Sequence, residues 1–284
     1  MPTTFYALWL DPQLVYSCAY FRSADEGLAE AQANKLDYIC RKLRLRPGER
    51  LLDIGCGWGG LLIHAASRYG VEGLGVTLSG PQAAEARDRI RAAGLETRCR
   101  VEVADYRELA GDAAYDKLVS VGMVEHVGRA ELGTYFRQAF RLLRAKGVFL
   151  NHGISDASLR RWPRPCSFVQ RYVFPDGELP PVPSVLEAAR QNGFEVRDVE
   201  SLREHYALTL RHWVRRLEAH RDLVRQVVDE ATYRVWRLYM AGSAQAFDSG
   251  AISVYQSLLI KNRGGTSSLP LTREDWYRTQ GAAC

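Results

Sequence analysis

Several features that would define other classes of protein are missing from this 284-residue sequence. No apolar run approaches the length that crosses a bilayer, and the first residues, MPTTFYALWL, lack the basic start and long apolar stretch of a signal peptide. The six cysteines do not occur in pairs at the spacing of metal ligands. We therefore expect a cytoplasmic protein with reduced cysteines and no metal site.

Internal repeats and low-complexity linkers are also missing. The hydrophobic share of 46% and the charged share of 25% are ordinary for a globular protein, so the chain can bury a full-sized core. The net charge of +5 favours anionic partners such as lipid headgroups, because a positive surface concentrates anions. No nucleic-acid-binding motif accompanies the charge, so we expect no nucleic acid partner.

Between residues 49 and 154, short apolar or β-branched runs alternate with helical patterns. The runs include RLLDIG, VEGLGVTL, YDKLVSVGM and GVFLNHGI, and the helical patterns include GGLLIHAASRYG and GPQAAEARDRIRAAG. Strands and helices that alternate at this spacing predict a parallel sheet with helices on both faces. The expected fold class is therefore α/β, with a Rossmann-like core over these residues.

The remaining residues have a different texture. Residues 155–180 are rich in Pro, Arg and aromatics without periodicity, which predicts an irregular lid. A helix that ends near Gly193, a strand, two long amphipathic helices and a closing strand at AISVYQSLLIK are predicted to follow. The expected organisation is an N-terminal helical segment over 1–48, the core over 49–154, a lid insertion with one core helix and strand over 155–250, and a final strand and tail over 251–284.

A glycine-rich turn, LLDIGCGWGG, follows the first predicted strand. Gly55, Gly57 and Gly59 allow a tight turn that lets the backbone approach a ligand at a helix N-terminus. No Lys-Ser/Thr pair follows, so the turn is not a P-loop. Asp53 suits a cationic ligand, and S-adenosylmethionine carries both an ammonium and a sulfonium. A purely structural turn, in which Asp53 holds the loop, is the alternative.

The second predicted strand ends without an acidic residue. A dinucleotide-binding fold would place Asp or Glu there for the ribose. Instead, GVTLSGPQ offers neutral hydrogen-bonding groups at Thr77, Ser79 and Gln82. This pattern disfavours a nicotinamide cofactor. After the third strand, Tyr106 suits a contact with an adenine ring, although an aromatic residue at a strand end more often packs in the core.

Seven motifs occur in order over nearly the whole chain: YSCAYF, LLDIGCGWGG, GVTLSGPQ, VGMVEHVG, LNHGI, RYVFPDGELP and HYALTLRHW. This ordered set resembles the cyclopropane-fatty-acid synthase family, which includes the mycolic acid cyclopropane synthases. The resemblance implies a class I methyltransferase sheet with a short helical N-terminal segment that closes the cofactor site and a helical, acyl-binding lid insertion.

The activity that the resemblance implies is transfer of a methyl group from S-adenosylmethionine to the double bond of an unsaturated acyl chain, followed by proton loss that closes a cyclopropane ring. One alternative is a methyltransferase of the same family that acts on a fatty acid or small molecule without ring closure. The other is a non-catalytic module that binds cofactor or lipid.

The resemblance also implies the residues of the site. A bicarbonate ion that acts as the base would be held by Cys18, Glu125, His152, Tyr239 and the backbone at Ile154. The cofactor contacts would be Tyr16, Ser17, Asp53, Gly55, Gly57, Gly59, Thr77, Leu78, Ser79, Gln82, Tyr106 and Arg107. Aromatic residues that bind the acyl chain and stabilise positive charge would be Phe168, Tyr172, Phe174, Tyr206 and Trp213.

The implied chemistry requires a dry site. An alkene is a poor nucleophile and must be held against the sulfonium methyl group, and the resulting carbocation needs aromatic faces and protection from water. A base must then take a proton at short range. Glu125 and His126 are neighbours, and at a strand end they would point to opposite sides, so only one of them would face the base.

The expected partner is an unsaturated acyl lipid or an acyl carrier. The basic stretches RRWPR (160–164) and RHWVRRLEAHR (211–221) suggest peripheral contact with the inner face of a membrane, because arginines near an anionic surface attract headgroups. The structural alternative is a charged helix face that is simply solvated. The sequence does not indicate an oligomeric state.

Overall fold

The computed structural model describes residues 1–157, 168–262, 264–265, 267 and 269–277. Within these residues a seven-stranded sheet has the order β3-β2-β1-β4-β5-β7-β6. Its strands are β1 (Arg50–Ile54), β2 (Glu72–Thr77), β3 (Cys99–Val103), β4 (Tyr115–Val121), β5 (Leu143–Asp156), β6 (Glu195–Ser201) and β7 (Ile252–Ile260). Strands β1 to β5 pair in parallel, whereas β7 runs antiparallel to both β5 and β6.

Helices cover both faces of this sheet. They are α1 (Thr3–Ala7), α2 (Leu28–Leu43), α3 (Gly60–Tyr69), α4 (Gly80–Ala92), α5 (Val124–Leu142), α6 (Phe168–Tyr172), α7 (Val182–Gln191), α8 (Arg203–Ala219), α9 (Arg221–Val227), α10 (Glu230–Asp248) and α11 (Glu274–Tyr277). A short 3₁₀ turn covers Tyr106–Glu108. The predicted α/β class and Rossmann-like core are confirmed.

The central strands are continuously apolar because both of their faces are covered. Leu51 and Leu52 are adjacent in β1 and point to opposite faces, yet both are fully buried. Leu51 belongs to a core that includes Ile39 of α2 and Ala65 of α3. Leu52 belongs to a second core that includes Phe136 of α5. This double burial explains why the core strands could be recognised in the sequence as unbroken apolar runs.

Helix α5 begins immediately after β4, which places Glu125 and His126 in its first turn. The expectation that these neighbours lie at a strand end was therefore wrong. Gly128 interrupts the helix with a φ of 72°, so the turn that carries Glu125 is set off from the rest of α5. This backbone is in the left-handed region that glycine adopts most readily.

Glu178, in the segment predicted to form a lid, contacts this first turn. The Glu178 N–H donates to the Glu125 carbonyl at 2.9 Å. The Glu178 carboxylate accepts from the Arg129 N–H at 2.9 Å and pairs with the Arg129 side chain at 3.1 Å. The first of the two basic stretches, 160–164, lies outside the described residues.

The second basic stretch is largely on α8, and several of its arginines have partners within the fold. Arg216 donates to the carbonyl oxygens of Trp9 and Leu10, each at 3.0 Å, and Arg211 pairs with Asp248. In the part of the chain that the structure describes, none of the helices is both long and apolar enough to cross a membrane.

Replacement of glycine by alanine is expected to have opposite effects on stability at Gly75 and at Gly242. A Cβ on Gly75 of β2 would lie 2.8 Å from the Cys56 Cβ, whereas a Cβ on Gly242 of α10 would meet nothing within 4 Å. We expect Gly75→Ala to lower the free energy of unfolding by about 1–3 kcal/mol through overpacking. Gly242→Ala should raise it by about 0.5–1 kcal/mol because alanine loses less entropy in a helix.

Urea unfolding of both variants checks this pair. Equal effects of the two substitutions would contradict the packing described for β2.

Candidate active site

A cavity of about 600 Å³ lies at the carboxyl ends of the parallel strands, where ligands bind in open α/β sheets. Its size is that of a small-molecule site. Eleven of the twelve predicted cofactor contacts line it: Tyr16, Ser17, Asp53, Gly55, Gly57, Thr77, Leu78, Ser79, Gln82, Tyr106 and Arg107.

Gly59 is the exception among the predicted contacts. It caps α3 with a φ of 77°, and a Cβ there would lie 3.2 Å from the Cβ of Ala86 in α4. Gly59 therefore allows two helices to approach each other and does not line the cavity.

Hydrogen bonds within the chain hold the rim of the cavity. Thr77 Oγ1 donates to Gln82 Oε1 at 3.1 Å, and the Ser79 hydroxyl caps α4 by accepting from the Gln82 N–H at 3.4 Å. The Arg107 guanidinium makes three hydrogen bonds of 2.6–3.0 Å to Asp105. These partners fix the orientation of the neutral groups that the sequence placed after β2, and of Arg107 after β3.

Two buried groups of opposite charge line the same cavity. Asp53 ends β1 and is 2% exposed, and burial raises the pKa of its carboxyl to about 7. Lys35 of α2 is also 2% exposed, and burial lowers the pKa of its ammonium to about 8. The Lys35 Nζ donates to Ser17 Oγ at 2.9 Å. The sequence analysis did not identify Lys35.

Residues from α2 position the segment Tyr16–Cys18. The Gln32 side-chain amide donates to the Ser17 carbonyl at 2.8 Å and to the Val15 carbonyl at 3.3 Å. Cys18 is fully buried, and its thiol lies 3.7 Å from the Leu202 carbonyl. Burial raises the pKa of the Cys18 thiol far above its usual range, so Cys18 is a protonated thiol rather than a nucleophile.

Glu125 occupies a gap in the sheet. Strand β4 ends at Val121 opposite His152, so no strand among the described residues pairs with the outer part of β5 on that side. The Glu125 Oε1 accepts from the Ile154 N–H there at 2.6 Å. Its other oxygen, Oε2, is buried and has no hydrogen-bond partner among the described residues. Burial raises the pKa of Glu125 to about 7.

His152 presents a second buried group without a partner. Its Nδ1 lies 3.2 Å from the Gln256 side-chain amide nitrogen, and when that amide donates to Nδ1 the ring proton is on Nε2. That Nε2 is buried and has no hydrogen-bond partner in the described part of the chain. Burial lowers the pKa of His152 to about 3, so the ring is neutral. His152 Nε2 and Glu125 Oε2 are thus two buried polar atoms that have no hydrogen-bond partner among the described residues.

Tyr206 links the other predicted residues of this region. Burial raises the pKa of the Tyr206 phenol, and nearby Tyr239, Cys18 and Glu125 raise it further. The Tyr16 hydroxyl is also buried without a partner within the described residues. We call Cys18, Glu125, His152 and Tyr239 the polar cluster. Its four residues lie beside the cavity but do not line it.

The predicted aromatic residues fall into two groups. Phe174 contacts Tyr239 at a ring distance of 5.7 Å, and Trp213 contacts Tyr16 at 5.3 Å and Tyr206 at 5.9 Å. Phe174 therefore contacts the polar cluster at Tyr239, and Trp213 packs on two of its aromatic neighbours. Phe168 and Tyr172 instead pack on each other at 5.1 Å in α6, where Tyr172 is 54% exposed.

Sequence reasoning missed several other contributors. Residues that line the cavity but were not predicted include Lys35, Trp58, Met123, His126 and Glu131. Tyr6, Trp9 and Trp236 also pack around Tyr16. We call these rings, together with Tyr16, Tyr206 and Trp213, the aromatic wall. A usable signal existed only for Lys35, which occupies the apolar stripe of an amphipathic helix where a lysine is out of place.

Comparison with known proteins gives a consistent result. The family model for mycolic acid cyclopropane synthetase matches residues 1–257. A protein from Pseudomonas putida named as a probable fatty acid methyltransferase is 47% identical over 96% of this chain and 71% of its own length. Cyclopropane mycolic acid synthase 1 from Mycobacterium tuberculosis is 38% identical over 89% of this chain and 91% of its own length. A second protein from Mycobacterium tuberculosis, named as a probable fatty acid methyltransferase, is 41% identical over 96% of this chain, which spans 64% of that protein's length.

Solved structures agree with this result. The crystal structure of the mycolic acid cyclopropane synthase CmaA1, complexed with SAH and CTAB, superposes with a TM-score of 0.86 at 37% identity. The match covers 91% of this chain and 94% of that one. Since the family model spans most of the chain and the relatives exceed 30% identity, the chain belongs to the mycolic acid cyclopropane synthetase family of S-adenosylmethionine-dependent methyltransferases.

Proposed function

We propose that this protein transfers a methyl group from S-adenosylmethionine to the double bond of an unsaturated acyl chain, and that proton loss then closes a cyclopropane ring. The observation that carries the proposal is that Glu125 Oε2 and His152 Nε2 are each buried without a hydrogen-bond partner among the described residues, and that Glu125 lies near Tyr206 and Tyr239. An enzyme that methylates exposed polar atoms does not require a polar pocket that excludes water.

The cavity suits the cofactor that the family uses. Asp53 offers a buried carboxylate to a cationic ligand, and Gly57, where a Cβ would meet nothing within 4 Å, leaves room for close backbone approach. When bound, S-adenosylmethionine supplies a methyl group made electrophilic by the sulfonium. Tyr16 lines this cavity and contacts Trp213, so it adjoins both the proposed cofactor site and the aromatic residues proposed to bind the acyl chain.

The polar cluster suits a small ion that can both donate and accept hydrogen bonds. Glu125 Oε2 needs a donor, and the His152 Nε2–H needs an acceptor. Bicarbonate offers both, and would supply a compact base in a space that excludes bulky side chains. The Ile154 N–H already donates to Glu125, so we assign it the role of orienting that carboxylate rather than of binding the ion itself.

The rings around the cluster have a role in the chemistry. Aromatic faces stabilise a neighbouring cation, and Tyr206, Trp213 and Phe174 lie around the groups that would receive the proton. The same rings exclude the water that would otherwise capture a carbocation. The lid closes this region, because Phe174 contacts Tyr239 and the Glu178 N–H holds the first turn of α5.

One observation favours a second function, methylation of a fatty acid without ring closure. The Pseudomonas putida relative, at 47% identity, is named a probable fatty acid methyltransferase. The two reactions share the methyl-transfer step and differ in how the resulting carbocation is quenched.

Product analysis with trideuteromethyl-labelled S-adenosylmethionine separates these functions. Vesicles of an unsaturated phospholipid, or an unsaturated acyl carrier, are the substrates. Ring closure should give a product that has lost one deuterium from the transferred group and has no alkene signals in its NMR spectrum. A product that keeps every deuterium of that group, or that keeps an alkene, would contradict cyclopropane formation and support the second function.

The substitution Glu125→Gln tests the role of the polar cluster. We expect turnover to fall by about 10²–10⁴-fold, because the amide cannot replace the carboxylate in holding or assisting the base. Cofactor affinity, measured by calorimetry, should stay close to that of the wild-type protein, since Glu125 does not line the cavity. Glu187→Gln, on the exposed face of α7, is the matched control. Loss of cofactor affinity in Glu125→Gln would assign Glu125 a different role.

The raised pKa of Glu125 also predicts how stability depends on pH. The folded protein holds this proton up to about pH 7, whereas the unfolded chain releases it near pH 4.5. The free energy of unfolding of the wild-type protein therefore falls as the pH rises between these values. Glutamine does not titrate. The free energy of unfolding of Glu125→Gln should therefore increase relative to wild type from pH 4.5 to 7, by roughly 1–3 kcal/mol.

Urea unfolding of the ligand-free proteins at several pH values measures this difference. A difference that is constant with pH would mean that folding does not raise the pKa of Glu125.

A further inference from the structure

Lys35 is a buried cation with few partners. Its Nζ carries three N–H donors, and Ser17 Oγ, at 2.9 Å, is the acceptor that it contacts. Among the described residues no carboxylate lies within 4.0 Å of this ammonium. Leaving a buried ammonium without a counter-charge is costly, because the fold has removed it from water without an ion pair in return.

The pKa of Lys35 indicates how strongly the fold resists this charge. Burial lowers the pKa to about 8, and nearby Cys18, Asp11 and Asp53 each oppose the decrease. The ammonium thus remains largely protonated at neutral pH. A ligand that brought an anionic group to Lys35 would regain the interaction that the fold alone does not provide.

The position of Lys35 indicates where such an anionic group would come from. Lys35 lines the 600 Å³ cavity together with Asp53 and Ser17, whereas the polar cluster lies outside that cavity. An anion held by Lys35 would therefore be part of the molecule in the cavity rather than the ion proposed for the polar cluster. Asp53 supplies the opposite charge on the same wall of the cavity.

We propose that Lys35 binds the carboxylate of the amino-acid moiety of the cofactor, while Asp53 faces its ammonium. An α-amino acid carries these two charges on one carbon, and Lys35 and Asp53 provide the complementary pair. The proposal deepens the proposed function and rests on its assignment of the cavity to S-adenosylmethionine. It also gives Ser17 a role, because the hydroxyl group fixes the position of the ammonium.

The test compares two ligands on the whole protein by calorimetry. Decarboxylated S-adenosylmethionine keeps the sulfonium and the ammonium but lacks the carboxylate. We expect the wild-type protein to bind S-adenosylmethionine about 10–100-fold more tightly than this analogue, the range of a charge-assisted hydrogen bond. In Lys35→Met the affinity for S-adenosylmethionine should fall to that of the analogue, and the affinity for the analogue should change little.

Lys117→Met is the matched control. Lys117 is a buried lysine at the other end of the parallel strands, where its Nζ donates to the Leu43 carbonyl at 2.7 Å, and it does not line the cavity. This variant should keep the wild-type preference for the carboxylate.

Three outcomes would overturn the proposal. The first is a wild-type protein that binds both ligands equally, a result that needs no variant to fold. The second is a Lys35→Met protein that still binds S-adenosylmethionine more tightly than the analogue. The third is a Lys35→Met protein whose affinity falls equally for both ligands, which would mean that Lys35 only supports the Ser17 segment. Failure of the proposed function is distinguishable, because it would leave these affinities intact while no cyclopropane product forms.

Discussion

The hydrogen bond from the Ile154 N–H to Glu125 Oε1 joins strand β5 to a residue of the polar cluster, and the arrangement of the site depends on it. Strand β4 stops at Val121 while β5 continues to Asp156, so an N–H of β5 would be left without a partner in a buried region, where that loss is costly. The Glu125 side chain takes the place of the missing strand. Because one oxygen is engaged in this way, the other is held in the dry interior, and the pKa of the carboxyl rises.

This constraint divides the site into two compartments with different physical properties. The cavity is open enough to admit a charged cofactor and has buried charges of both signs on its wall, at Asp53 and Lys35. The polar cluster is buried, and its thiol and imidazole are neutral. Tyr16, Ser17 and Cys18 connect the two, because the first two residues line the cavity and the third lies in the cluster. The methyl transfer and the proton removal that we propose would thus take place in adjoining parts of the site with different surroundings.

The sequence predicted the parts of this arrangement that depend on local patterns or on ordered motifs. The core strands were recognisable because helices cover both faces and make them continuously apolar. Glu125 and His126 were wrongly assigned to a strand end because Gly128 interrupts the helical pattern directly after the turn that carries them. The backbone at Ile154 was predicted to bind the bicarbonate, but its hydrogen bond to Glu125 could not be predicted, since it depends on the unequal lengths of two strands. Lys35 was overlooked because its position on the apolar stripe of α2 indicates burial without indicating which cavity it meets.

A site with this many buried polar groups must be supported by packing elsewhere. Asp53, Glu125, Lys35 and His152 all have pKa values displaced toward their neutral forms by burial, so each charge that forms there opposes folding. The aromatic wall offsets this cost: Phe5 of α1 packs on Trp236 at 5.3 Å, and other aromatic pairs continue around Tyr16. Since the same rings exclude water from the reaction, truncating them would weaken folding and catalysis together. For this reason, loss of activity in an aromatic variant does not by itself identify a catalytic role, whereas the polar substitutions change charge while leaving the wall in place.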